Sequence, residues 1–302
     1  MTHRDATVFD AGRISDIILN FIRRSPANSL GSEASEPAWG EPLIGFSRGD
    51  DSLYRQFKED IGEFFWTPEE IFRLTFHGAP LDLAVISWVL PQTEATKREN
   101  RKEREFPSER WSRSRNFGEQ ANMALARHVV ASLQQGGCRA VAPTLSPLWK
   151  WQISERYGFA SNWSERHAAH VSGLGTFGLC DGLITPRGKA IRCGSVVAEI
   201  DLNPTPRPYR DRRAYCLFYP DGKCGKCIER CPAGAIGDSG HDKQKCRDYL
   251  FDTVAPYAKD RYGFESYGCG LCQTGVPCES AIPAERWPDR GSGSGPETPI
   301  SR

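Results

Sequence analysis

Residues 224–232 read CGKCIERCP, and Cys246, Cys269, Cys272 and Cys278 follow. With Cys216 upstream, the full spacing is Cys216-x7-Cys224-x2-Cys227-x3-Cys231-Pro232, then Cys246, then Cys269-x2-Cys272-x5-Cys278. Eight of the eleven cysteines in the 302-residue chain lie in this window. An odd number of cysteines in a chain this long is a poor disulfide framework. The N-terminus, MTHRDATVFD, carries no basic-then-apolar export pattern. In a reducing compartment, cysteines clustered in this way are metal ligands or redox groups. The reading is therefore of a cytoplasmic protein with a metal-binding C-terminal region.

The metal is read from the short spacings. Two-cluster ferredoxins use C-x2-C-x2-C-x3-C-P, in which the fourth cysteine ligates the other cluster. Here the usual first position holds Asp221, so Cys216 is the substitute, reached by a longer loop. By the crossing rule, Cys216, Cys224, Cys227 and Cys278 form one [4Fe–4S] set. Cys231, Cys246, Cys269 and Cys272 form the other. Glycines such as Gly225 and Gly270 allow backbone N–H groups to approach the sulfurs, and Pro232 turns the chain away after the crossing ligand. Two four-cysteine zinc sites would favour paired C-x2-C knuckles; the third short spacing and the C-P step favour iron–sulfur. Cys138, Cys180 and Cys193 lie outside the window and read as core residues.

The rest of the chain has the make-up of a folded domain: 39% hydrophobic residues and a formal net charge of +1, with no bulk drive toward nucleic acid or membrane. No segment approaches the ~18 apolar residues of a membrane span. Helices are expected over 13–24, 51–62, 68–77 and 118–135, and strands over 43–46, 81–90, 138–143 and 194–200. Thr67-Pro68-Glu69-Glu70 is a helix start. The alternation of strands and helices predicts an α/β (α+β) layered domain over residues 1–205. A ferredoxin-like domain with two [4Fe–4S] clusters comes next over 206–283, and a disordered tail over 284–302. Residues 91–116 carry eight Lys/Arg against four Glu between Lys97 and Arg115. They read as a solvated loop, or else as a lid or contact for an anionic partner.

Gly173-Leu-Gly175-Thr-Phe-Gly178 matches the dinucleotide pattern G-x-G-x-x-G. Such a site needs a strand before the glycines and a helix after them. Here SERHAAHVS (164–172) reads as a helix, and Gly182, Pro186 and Gly188 interrupt the segment on the C-terminal side of the glycines. The order is reversed, so the stretch reads as a helix ending in a glycine-rich loop, where backbone can approach a ligand.

Taken together, HAAHVSGLGTFG, LIT, RCGSVVAEI, CGKCIERCPAGAI and GCGLC resemble the epoxyqueuosine reductases and their reductive-dehalogenase relatives over roughly residues 150–280. The resemblance implies electrons passing through two clusters to a cobalamin, which reduces a substrate. It places Gly173, Gly175, Gly178 and Ser195 near the corrinoid. It also implies an electron donor such as a ferredoxin or flavodoxin, and a small-molecule or tRNA substrate. The sequence departs from the family in FASNWSER, where the aspartate of a D-S-A-P-like segment is missing. Glu165 and His167 are the candidate proton donors in its place, with His170 on the same helical face. Two alternatives stand beside this reading: an electron-transfer protein without its own substrate, and a tRNA epoxyqueuosine reductase.

Overall fold

The computed structural model describes residues 9–31 and 36–283. The tail expected over 284–302 lies outside them. Its centre is a four-stranded sheet in the order Leu43–Arg48, Leu83–Pro91, Ile191–Glu199, Ala140–Val141. Every pairing is antiparallel. The layered domain is therefore of the antiparallel α+β kind. Alternation of strands and helices points to a mixed layer without fixing strand direction, because direction depends on how each connection crosses the sheet.

The two central strands read as near-continuous apolar runs because both of their faces are covered. Ile86, Trp88, Leu90, Val196 and Ala198 pack on one side against Ile14 and Ile18 of the helix Ala11–Arg24 and against Leu125, Val129 and Leu133 of the helix Glu119–Gln135. Val85 and Val197 face the other layer, with Tyr54, Phe57, Ile71, Trp163, Ala168 and Val171. The helix Pro68–Phe76 opens with the expected capping box, Thr67 and Glu70 bonding reciprocally. Gly194 stands opposite Trp88 in the register. A Cβ there would lie 2.5 Å from the indole, which needs that space to reach Asn122 Oδ1 at 2.8 Å.

The charged stretch after Pro91 is not a loop. It forms the helices Glu94–Lys102 and Glu109–Arg113, with a π-turn over Ser114–Gly118 leading into the helix Glu119–Gln135. Its low apolar content misleads because several of its cations are paired within the fold. Lys97 bonds Glu94 and Ser280, Arg101 pairs with Glu279, and Arg110 pairs with Glu36 and Glu99. The segment braces the cysteine-rich region. Asn100 Nδ2 donates to Cys269 O at 3.2 Å, Arg230 Nη1 donates to Glu103 O at 2.7 Å, and Phe106 stacks on Tyr257. The strand expected over 138–143 shortens to Ala140–Val141, because Pro143 opens a 3-10 turn. Among the described residues no helix is long and apolar enough to cross a membrane.

Candidate redox site

The cysteine-rich region is built from short turns. The helical turn Phe218–Asp221, closed by Gly222 at φ 69°, fills the long gap between Cys216 and Cys224. That turn returns the chain so that Cys216 lies in the same apolar cluster as Cys227, Cys231, Cys272 and Cys278. The turn Lys226–Glu229 carries Cys227 inward, and the helix Lys243–Tyr249 carries Cys246.

Two cavities lie among these thiols. Cys216, Cys224, Cys227 and Cys278 line the smaller, of about 20 Å³. Cys231, Cys246, Cys269 and Cys272 line the larger, of about 220 Å³. Among the described residues no three His, Cys, Asp or Glu side chains converge as ligands of a single ion. Counting Cys180, five cysteines line the larger space and four the smaller, and eight of these nine make up the two four-thiol sets read from the spacing. Ala235 N–H donates to Cys231 Sγ at 3.2 Å, the kind of contact that favours a thiolate.

The larger cavity extends past its cysteines to a wall the sequence did not reveal. Trp111, Arg115 and Glu119 come from the brace and the helix it leads into, Arg192 from the strand Ile191–Glu199, and Arg166 from the helix Glu165–Val171. Two glycines let the brace close on the cysteine loop. A Cβ at Gly270, itself at φ 60°, would lie 1.9 Å from Trp111; one at Gly268 would lie 2.7 Å from Arg115. Glu119 pairs with Arg192 and, at 3.6 Å, with Arg115. The nearby Arg192 charge, aided by burial, pushes the Arg115 guanidinium down to about 10. A π-turn holding Arg115 is a feature often found at functional sites, but it leaves no periodicity signal in a sequence.

The other candidates cluster on the opposite face of the sheet. Glu165 accepts from Thr144 Oγ1 at 2.9 Å and from Ser195 Oγ, and Trp163 Nε1 donates to Ser195 Oγ at 3.1 Å. Burial pushes the Glu165 carboxyl up to about 7, although these hydrogen bonds act the other way. His167 sits against Phe57, Phe65 and Phe177, with Nδ1 2.7 Å from Ser164 Oγ. Burial holds it well below the ordinary histidine value and therefore neutral. His170 is pushed down to about 4 by burial and is locked by Gly175 O and Tyr209. Neither Glu165 nor His167 lines the larger cavity, whereas their neighbour Arg166 does.

The glycine loop comes after its helix as expected, and the hairpin of Thr176–Phe177 with Leu183–Ile184 is next. The space beside its glycines is filled by the chain. A Cβ at Gly173 would lie 2.8 Å from Pro206 O, and one at Gly175 would lie 2.3 Å from Ile184 O. Ser195 is buried and committed to Glu165 and Trp163. Gly173 and Gly175 thus press on the chain's own backbone, while Gly178 lies against the Ile184 side chain.

Cys138 and Cys193 pack in cores as expected. Cys180 does not behave like them. It is buried among the clustered thiols, lines the larger cavity, and accepts from Lys189 Nζ at 3.2 Å.

No family model matches the sequence. Among curated proteins it is similar to the epoxyqueuosine reductase of Bacillus anthracis, 30% identical over 131 residues, covering 42% of this chain and 32% of that protein. It is similar also to that of Staphylococcus aureus, 32% identical over 129 residues, covering 41% and 31%. The match therefore spans about a third of the length of these curated relatives. The solved epoxyqueuosine reductase of Bacillus subtilis aligns with 82% of this chain and 63% of its own, at 19% identity and a TM-score of 0.45. A catabolic reductive dehalogenase aligns with 91% and 38%, at 14% identity and a TM-score of 0.49. Over the matched stretch the chain is a divergent relative, at about 30% identity, of proteins named epoxyqueuosine reductase.

Proposed function

We propose that this protein is an iron–sulfur oxidoreductase that carries electrons through two [4Fe–4S] clusters to an acceptor at the larger cavity. The observation that supports it most is that the eight cysteines of the two expected sets line two cavities, set by set, in the crossed order of a two-cluster ferredoxin, with Cys180 a ninth on the larger. On this reading residues 1–205 form the substrate domain and 206–283 the cluster domain. The clusters supply one-electron steps when bound. The chain's own residues do the rest. The brace Glu94–Arg113 closes the cavity wall, and Arg115, Arg166 and Arg192 set its positive potential. Glu165 holds a proton near neutral pH, which makes it a better acid than the neutral His167. The resemblance would place a corrinoid near Gly173, Gly175, Gly178 and Ser195, and no step is assigned to it. The electron donor is proposed to be a ferredoxin or flavodoxin.

Anaerobic purification with corrinoid supplied, and then metal analysis, tests this reading. The expected result is about eight irons per chain with matching sulfide, and reduced-state EPR signals of two interacting clusters. Zinc in place of iron would overturn it.

The similarity to proteins named epoxyqueuosine reductase supports a second reading, in which the substrate is an epoxyqueuosine-modified tRNA. Stoichiometric, salt-sensitive binding of that tRNA would favour it. A cluster-loaded protein that exchanges electrons with a donor yet reduces no added substrate would point instead to a pure electron carrier.

A further inference from the structure

Lys189 is 2% exposed, and its stem passes Gly182, where a Cβ would lie 2.8 Å from the lysine Cδ. Its backbone N–H donates to Cys278 O at 2.8 Å, which ties the residue to the cysteine region at both ends. Its Nζ donates to Cys180 Sγ at 3.2 Å. A buried ammonium is costly without a counter-charge, and the groups facing Lys189 are thiols. Cys227 and Cys278 line the smaller cavity and Cys272 the larger. Cys180 itself lines the larger cavity and Lys189 the smaller, so the bond between them joins the walls of the two. Each set already has four thiols.

We propose that Lys189 and Cys180 form a shared control element for the two clusters: the buried ammonium is their common counter-charge, Cys180 holds it in place, and together they raise both reduction potentials. The proposal rests on the two-cluster reading above. Adding an electron makes a cluster more negative, so a fixed cation close to its thiolates favours the reduced form. One cation near both clusters shifts them together and keeps electron flow between them near balance. In this role Cys180 is a positioning residue and not a ligand.

The test is an EPR-monitored redox titration of anaerobically purified, cluster-loaded protein. Lys189→Met is expected to keep its iron and to lower the potential of each cluster. The expected size is at least tenfold in the reduction equilibrium, or 59 mV for a one-electron couple. Lys189→Arg, which retains the charge, is expected to restore most of that loss. Cys180→Ala supplies an independent arm that keeps the lysine: iron stays at the wild-type level while both potentials fall. Full iron with unmoved potentials in Lys189→Met overturns the proposal and leaves the two-cluster reading intact. Loss of half the iron in Cys180→Ala overturns it too, because Cys180 would then be a ligand. A wild-type protein without iron removes the clusters, and with them both readings.

Discussion

Single residues in this protein are defined by what surrounds them more than by their type. Glu165 is an ordinary helix-start glutamate in the sequence. In the fold, burial beneath Trp163 and Ser195 raises it to about 7 from an ordinary value of 4.5. The folded state therefore binds a proton that the unfolded chain has released across that interval. The associated stability is fully present below about pH 4.5 and is lost as pH rises through about 7. Glu165→Gln is expected to flatten this part of the stability profile, measured by urea unfolding from pH 4.5 to 8. A variant that keeps the full slope would show that another group carries it. His167 differs although it sits on the same helix. Burial among its aromatic neighbours holds it well below the ordinary histidine value.

Among the elements, the brace formed by Glu94–Lys102 and Glu109–Arg113 carries the most structural consequence. Trp111 lies over Gly270, and Gly270 occupies the left-handed region at φ 60°. Gly270→Ala meets both an unfavourable backbone and a steric clash, for a combined loss of about 2–4 kcal/mol. Thermal unfolding of Gly270→Ala, Trp111→Ala and the double variant separates the two effects. The double variant is expected to be less destabilised than the sum of the singles, since removing the indole relieves the clash but not the backbone conformation. Strict additivity would mean that the indole and Gly270 do not press on one another. The same contact explains the turn chemistry of the cysteine loop: a glycine expected to bring N–H groups toward sulfur is also required by the helix packed against it.

At the scale of the molecule, the antiparallel sheet and the cysteine region differ in what sustains them. The sheet is covered by apolar side chains on both faces. The cysteine region has short turns and an apolar cluster composed largely of its own thiols and their neighbours. On the proposed two-cluster reading, its folding is expected to depend on bound clusters, as small metal domains depend on their metal. Anaerobic removal of iron with a chelator should expose residues 206–283 to limited proteolysis while the sheet domain stays resistant. Equal resistance with and without iron would show that the brace alone holds the region.

Spacing and periodicity were enough to read the capped helix at Thr67 and the buried central strands. Each of these is written locally: a capping box lies within four residues, and an apolar run covered on both faces is read without its partners. The glycine motif was legible too as no dinucleotide site, since a helix precedes it. Contacts in three dimensions were needed to set the strands antiparallel, to make residues 94–113 a brace, and to bring Arg115, Arg192, Cys180 and Lys189 to the cysteines. Cys180 reads as a core residue because burial and clustering look alike in one dimension. Ion pairs such as Arg101 with Glu279 hide a packed helix behind a charged composition. These outcomes depend on contacts between residues far apart in the chain, and local spacing carries no record of them.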